Sequence, residues 1–198
     1  MKVLGIVCSP RRRGNTEILI SEALAGAKEC GATVEMINVA QKKIAFCDAC
    51  ESCIKKKKCR INDDMQDIYT LLLEANAIIF GTPVYFWNVT AQGKTLIDRT
   101  YALYHGYRLR NKLAGVIAVG RRSGADIVVN NFYSFFNMHR MIIPTSALIY
   151  SETEDIERDE KGGYAIAYAG ERGEVRQDLR GMAQARALGN TIAKFLYR

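Results

Sequence analysis

Short apolar runs alternate with amphipathic stretches along most of the chain, and this alternation restricts the fold more than any other feature. Lys2 to Cys8 is a brief apolar run stopped by Ser9-Pro10, as expected of a buried strand. Thr16 to Cys30 carries apolar residues at Ile18, Leu19, Ala23, Leu24 and Ala27 and stops at Gly31, a residue suited to a helix C-terminal cap. Thr33 to Val39 alternates in the manner of a second strand. Asp63 followed by Gln66 reads as a capping box that opens a helix to about Glu74. A strand over Ala77 to Gly81, a helix over Val89 to Tyr104, a strand over Leu113 to Gly120 and a helix over Ala125 to His139 follow. A strand from Met141 to Tyr150 and a helix from Glu174 to Leu196 complete the series. Between them, 151–172 turns polar and glycine-rich, a surface excursion with a small hairpin expected near Tyr164 to Tyr168.

Strands separated by helices at this spacing predict an α/β fold, a parallel sheet with helices on both faces. Five strands fit the flavodoxin-like order 2-1-3-4-5, in which a ligand binds at the carboxyl ends of the strands flanking the switch point. A length of 198 residues suits one domain, 1–198, and neither an internal repeat nor a long linker divides it. No apolar run approaches the ~20 residues of a membrane helix. The apolar start lacks the preceding charges and following cleavage site of a secretory leader, so a cytoplasmic protein without membrane contact is expected. Lys plus Arg is 28 against 21 Asp plus Glu, a net charge of +7. Part of the excess lies in Arg11 to Arg13 and Lys55 to Lys58, which points to local anionic ligands rather than nucleic acid.

The first strand leads through Cys8-Ser9-Pro10-Arg11-Arg12-Arg13-Gly14-Asn15-Thr16 into a helix. Such a loop offers backbone N–H groups at the positive end of a helix, hydroxyl donors from Ser9 and Thr16, an amide N–H from Asn15, and close approach at Gly14. Arg11 adds charge. These are the requirements of a phosphate site, although a Ser-Pro turn and a helix cap would use the same residues. Two nucleotide-binding alternatives fail on spacing. No G-x-G-x-x-G follows the first strand, and Gly93-Lys94-Thr95 lacks the upstream glycine of a triphosphate loop, since position 88 is Asn88. The second loop, Gly81-Thr82-Pro83-Val84-Tyr85-Phe86-Trp87-Asn88, would lie beside the first across the switch point and could line a flat ring. Taken singly, its aromatic residues suit core or subunit-interface packing equally well.

Together the two loops resemble the flavodoxin-like NAD(P)H-dependent FMN reductases, over roughly residues 1–150. The matching segments are Ser9-Pro10-Arg11 with Gly14-Asn15-Thr16, and Gly81-Thr82-Pro83-Val84-Tyr85 with Asn88-Val89-Thr90-Ala91-Gln92 and Ile97-Asp98-Arg99. The resemblance implies FMN, with phosphate contacts at Ser9, Arg11, Asn15 and Thr16 and ring contacts at Pro83, Val84, Tyr85 and Asn88. Cys8 stands where that family usually has glycine, and Gly120-Arg121-Arg122-Ser123-Gly124 is a weak version of its third flavin loop.

Four of the six cysteines crowd into the connection after the second strand, at about 40–62, as Cys47, Cys50, Cys53 and Cys59. Six cysteines in a cytosolic chain should be reduced, so clustered ones are read first as metal ligands. The C-x2-C-x2-C-x5-C spacing suits a 4Fe–4S cluster. Zinc, which more often takes two separated C-x2-C pairs, and free redox thiols are the alternatives. The segment Phe46 to Met65 resembles the iron–sulfur flavoproteins, which implies FMN and one 4Fe–4S cluster per subunit, in homodimers or homotetramers that bring the cluster of one subunit near the flavin of another. The lysines Lys55 to Lys58 then either compensate the negative cluster and attract an acidic ferredoxin-like carrier, or simply solvate the loop. Cys30, His105 and His139 read as packing residues, and no nucleophile–base pair stands out as catalytic.

The expected activity is electron transfer between a one-electron carrier and a small-molecule two-electron acceptor or donor. The alternatives are an NAD(P)H-dependent FMN or quinone reductase without a cluster, and a zinc-stabilised binding module without turnover.

Overall fold

The computed structural model describes residues 1–120, 123–150 and 172–197. One parallel sheet carries the strands in the order β2-β1-β3-β4-β5: β1 (Lys2–Val7), β2 (Thr33–Asn38), β3 (Ala77–Pro83), β4 (Leu113–Gly120) and β5 (Ala147–Tyr150). β2, β1, β3 and β4 form its body, and β5 adds four residues at the edge, from Ala147 opposite Ile117 to Tyr150 opposite Gly120. The helices are α1 (Asn15–Glu29), α2 (Ser52–Lys56), α3 (Met65–Glu74), α4 (Ala91–Arg99), α5 (Tyr101–Tyr104), α6 (Ala125–Met138) and α7 (Leu179–Leu196). The chain has the α/β flavodoxin-like fold.

Period-two alternation divides the core between the two faces of the sheet. On one face Val3, Ile79 and Ile117 pack under α1 and α7 through Leu19, Ile20, Leu188 and Ile192. On the other, Leu4, Ile6 and Phe80 pack under α3, α4 and α6 through Ile68, Leu72, Leu96, Phe132 and Phe136. The α1–α7 contact is unusually close, because a Cβ at Gly189 would sit 1.7 Å from the Ala23 carbonyl oxygen. Arg186 reinforces it, bonding Glu22 Oε2 at 2.8 Å and also contacting Glu29.

Several expected boundaries are corrected. β3 runs two residues past Gly81 to Pro83, and the Val84 N–H continues the ladder to the Val119 carbonyl at 2.9 Å. The helix expected over Val89 to Tyr104 starts at Ala91, with Thr90 as its N-cap, and divides at Thr100, whose hydroxyl donates to the Ile97 carbonyl at 2.6 Å. The last strand is confined to Ala147–Tyr150: Ile142 makes only an isolated bridge to Leu113, and Pro144, which lacks an N–H, follows. The final helix begins at Leu179 behind an Asp178 cap, after a 3-10 turn over Glu174–Arg176. Asp63 and Gln66 do not form a capping box, for Asp64 holds the N-cap position and Gln66 Nε2 donates to the Ile61 carbonyl at 2.6 Å. The hairpin expected near Tyr164 lies outside the described residues. No helix among the described residues is long and apolar enough to cross a membrane.

Candidate functional site

Val7 of β1 stands opposite Gly81 of β3, so the loops leaving these strands run side by side. In the first loop Ser9 and Thr16 are both buried, and Ser9 Oγ accepts the Arg11 N–H at 3.2 Å. Arg13 adopts a left-handed conformation (φ 55°), and its N–H reaches Glu17 Oε2 at 2.8 Å. Gly14 holds the N-cap position of α1 in an extended conformation, so no side chain caps the helix. First-turn N–H groups have no partner within a helix. Two buried hydroxyls beside the uncapped start of a 15-residue helix make a cradle for an anion. A Cβ at Gly14 would crowd the loop itself, 3.2 Å from that of Arg11 and 3.3 Å from the Arg11 carbonyl oxygen. Asn15 has a second duty: its Oδ1 accepts the N–H groups of Gly173 at 3.0 Å and Val175 at 3.5 Å, which leaves Nδ2 as its donor toward a ligand.

The second loop is a tight turn. Tyr85 and Asn88 exchange N–H···O bonds, both 2.9 Å, while Phe86 and Trp87 occupy the tip at φ 47° and 57°. Phe86 is 97% exposed. Trp87 leans on Gly124, the left-handed residue (φ 87°) before α6; a Cβ there would meet Trp87 Cδ1 at 2.7 Å and Val84 Cγ1 at 3.0 Å. Asn88 Oδ1 accepts the Val89 N–H at 2.8 Å and the Asn131 amide at 3.3 Å. Pro83, Val84, Tyr85 and Asn88 therefore lie on one tight turn beside the first loop, with Gly124 packed against Val84 and Trp87.

Sequence reasoning missed Thr90 and Gly93. The buried Thr90 hydroxyl donates to the Cys8 carbonyl at 2.5 Å and accepts the Gly93 N–H at 3.1 Å, locking the first loop to the start of α4. The available signal was a threonine three residues before a glycine at a helix start. Cys8 fills the remaining space, since a Cβ at Gly93 would lie 2.9 Å from its Cβ. Burial pushes the Cys8 thiol up to about 12, so it stays protonated and unreactive near neutral pH. His139 is likewise structural. Burial holds it down at about 4, and its Nε2 meets the Thr100 hydroxyl at 3.1 Å.

The cysteine loop leaves and rejoins the fold through one neck. Lys43 N–H donates to Asp64 Oδ2 at 2.7 Å, and Ala45 N–H to Asp63 Oδ2 at 2.9 Å. Arg99, its side chain fully buried, grips both oxygens of Asp63, at 2.6 and 3.0 Å, and donates to the Ala45 carbonyl at 2.7 Å. Burial opposes the Asp63 charge, but Arg99 and the N–H groups of Ala45 and Met65 outweigh it and hold the carboxyl below the usual carboxylate range. Burial also opposes the Arg99 charge, and the Asp63 carboxylate reverses that effect. The two segments Asp63-Asp64-Met65 and Ile97-Asp98-Arg99 thus meet in one ion pair.

Within the loop, Cys47, Cys50, Cys53 and Cys59 line a single cavity, with Arg99 and Tyr101 in its wall. Cys53 projects from α2 into the core, Cys47 and Cys50 are exposed, and Cys59 is intermediate. Ala49 and Glu51, either side of Cys50, and Lys57 all take left-handed conformations (φ 54°, 56° and 54°), a strain that persists only where surroundings enforce it. Burial raises the Cys53 thiol pKa, and the neighbouring Cys59, Cys47 and Cys50 raise it further. Ser52, followed by Arg60, lowers that of Cys50. The donor set has the softness an iron–sulfur cluster requires. Among the described residues no group of three or more His, Cys, Asp or Glu is arranged to hold a single metal ion.

The profile of the NADPH-dependent FMN reductases matches residues 1–155. The chain belongs to that family. An iron–sulfur flavoprotein of Methanocaldococcus jannaschii is 38% identical over 98% of this chain and 96% of its own. One from Archaeoglobus fulgidus is 33% identical over 98% of this chain and 80% of its own. These relatives set the chain among the iron–sulfur flavoproteins of the family. Among solved structures, RosB with a bound formylated riboflavin phosphate superposes with a TM-score of 0.74 at 18% identity, over all of this chain and 80% of that one. An NAD(P)H:quinone oxidoreductase from Methanothermobacter marburgensis gives 0.68 at 15%, over 96% and 94%. Both likenesses concern the fold. The protein is an oxidoreductase built for flavin-based electron transfer.

Proposed function

We propose that the protein holds FMN at the β1 and β3 loops and a 4Fe–4S cluster on Cys47, Cys50, Cys53 and Cys59, and that it joins a one-electron, ferredoxin-like carrier to a two-electron small-molecule partner. The observation that carries this reading is the convergence of four thiols from one pinned loop on a single cavity, in a member of a flavin reductase family. The names of the nearly full-length relatives support the cluster. FMN exchanges one or two electrons and a 4Fe–4S cluster exchanges one, which is the chemistry such a junction needs.

The chain's own residues bind and position. Ser9, Thr16, Arg11, Asn15 and the start of α1 take the phosphate, with Gly14 leaving room for it. Pro83, Val84, Tyr85 and Asn88 border the ring. Asp63 and Arg99 hold the cysteine loop to α4, and Lys55 to Lys58 offset the negative charge of the thiolates and favour an acidic carrier. No side chain is assigned as acid or base. The exposed tip residues Phe86 and Trp87 support a homodimer or homotetramer in which the second loop faces a neighbouring subunit.

Anaerobic purification followed by iron, sulfide and flavin analysis tests the reading. It expects one FMN and about four irons and four sulfides per chain. A second reading, an NAD(P)H-dependent quinone reductase without a cluster, draws on a relative from Trichlorobacter lovleyi named NAD(P)H dehydrogenase (quinone), 34% identical over 64% of each chain. Flavin without iron would favour it.

A further inference from the structure

The loop that carries the cysteines has a second concave side. A cleft of about 440 Å³ opens between the end of this loop and the helices α3 and α5. That volume is in the range of small-molecule sites. Three cations, Lys57, Lys58 and Arg108, stand around it against one carboxylate, Asp67. Arg108 spans from the far side toward the loop, its Nη1 3.5 Å from the Lys57 carbonyl oxygen. The deeper wall is apolar and aromatic, with Leu103 and Tyr69 among its residues. The Tyr69 hydroxyl is committed to the Arg99 carbonyl at 2.6 Å, which fixes the ring. Cys59 lies on this cleft as well as on the cysteine cavity, so the two spaces share one residue as a wall.

We propose that this cleft is a binding site for a small, flat organic anion carrying two negative groups, seated against Cys59. The cations supply the charge selection, since two net positive charges in a half-enclosed space attract a dianion and repel a cation. Part-buried Leu73, with the edge of the fixed Tyr69 ring behind it, supplies an apolar side for the organic body. A free flavin phosphate is a poor candidate, because the site on the β1 and β3 loops already supplies a helix N-terminus and buried hydroxyls for that group. The role such a ligand plays rests on the cluster reading of the cysteines, but its binding does not.

The test uses the anaerobically purified full chain with its flavin bound, and anthraquinone-2,6-disulfonate as the probe, followed by titration calorimetry. Saturable binding is expected, weakened about tenfold or more in Lys58→Glu/Arg108→Glu, because each reversal replaces attraction by repulsion in a solvated cleft. Flavin content and circular dichroism of the variant should match the parent, and methyl viologen, a dication of comparable size, should not compete. No saturable binding of the disulfonate, or equal affinity in the double reversal, overturns the site. Saturable binding by an anaerobic preparation that proves to hold neither iron nor sulfide would leave the cleft standing and refute the cluster reading alone. Cluster-loaded protein that ignores the probe would do the reverse.

Discussion

Replacing Asp63 with asparagine should cost the fold about 3 kcal/mol. The side chain keeps its shape, so packing is unchanged and the effect is electrostatic. Each carboxylate oxygen now accepts from two sides, Oδ2 from Arg99 and Ala45 and Oδ1 from Arg99 and Met65. An amide offers one oxygen and turns an NH2 group toward two of those donors. Arg99, with no side-chain surface in water, is left as an uncompensated buried charge. Breaking a pair of this kind by removing one partner costs ~3–5 kcal/mol, and the residual amide bond places the asparagine at the lower end. Urea unfolding near pH 7, read by flavin fluorescence and circular dichroism, measures it. The pH dependence carries a sign. The Asp63 carboxyl is below the usual range in the folded chain, so the unfolded chain binds the proton more readily; the stabilisation is complete above the ordinary pKa of ~3.9 and is lost as pH falls through the folded value. His139, lowered to about 4, causes a separate loss between ~6.5 and its folded value, and that loss is common to both proteins. The stability gap should therefore be constant above pH ~5 and should close only below ~4. A variant within ~0.5 kcal/mol of the parent at pH 7 would refute the assignment of Asp63 and Arg99 as the clamp of the cysteine loop.

Alanine at both Ser9 and Thr16 should weaken flavin binding by roughly 1–3 kcal/mol per lost phosphate bond, measured by equilibrium dialysis; undiminished retention would remove these hydroxyls from the site. Serine at any one of Cys47, Cys50, Cys53 or Cys59 should bleach the broad iron–sulfur absorption and leave the flavin in place, whereas serine at Cys30, which packs against Asn190 3.7 Å away, should not. Alanine at Gly189 must push α7 off α1 to relieve a 1.7 Å contact with backbone, so a loss of about 3 kcal/mol or more is expected in thermal unfolding. A wild-type melting temperature in that variant would contradict the packing described here.

Where a rule acts through neighbours in sequence, the chain could be read directly. The alternating apolar runs dictate β1, β3 and β4, and Gly31 (φ 88°) ends the first helix as a C-terminal glycine should. The loops at Ser9 and Pro83 follow from the strand order, and the compact cysteine spacing from the sequence itself. What escaped depends on distant partners. Asp63 has the local look of a cap, and only Arg99, thirty-six residues on, gives it its actual role. The split at Thr100 has no proline or glycine to announce it. It arises where the Thr100 hydroxyl turns back to Ile97 just after Arg99 is buried in the neck. Thr90 escaped because its partner is the carbonyl of Cys8, eighty-two residues earlier in the loop after β1. The twin cavities around Cys59 exist only once α5 has been folded against the loop.

The contact between α1 and α7 bears on what the smallest cooperative unit of this family is. The family profile ends at residue 155, yet the segment beyond it supplies much of one side of the core: Ala185, Leu188, Ile192 and Ala193 are all buried against α1 and the sheet. At ~1.5–3 kcal/mol for each large aliphatic side chain, Leu188 and Ile192 alone contribute a sizeable share of what a domain of this length has to spare. The same segment reaches the first loop, where Gly173 and Val175 fasten the side chain of Asn15 beside the helix start proposed above for the phosphate. The stretch matched by the family profile therefore does not hold the whole of this core. A fragment cut at the profile boundary would uncover a helix that Gly26 and Gly189 have shaped for a partner, and would remove the two N–H groups that hold Asn15.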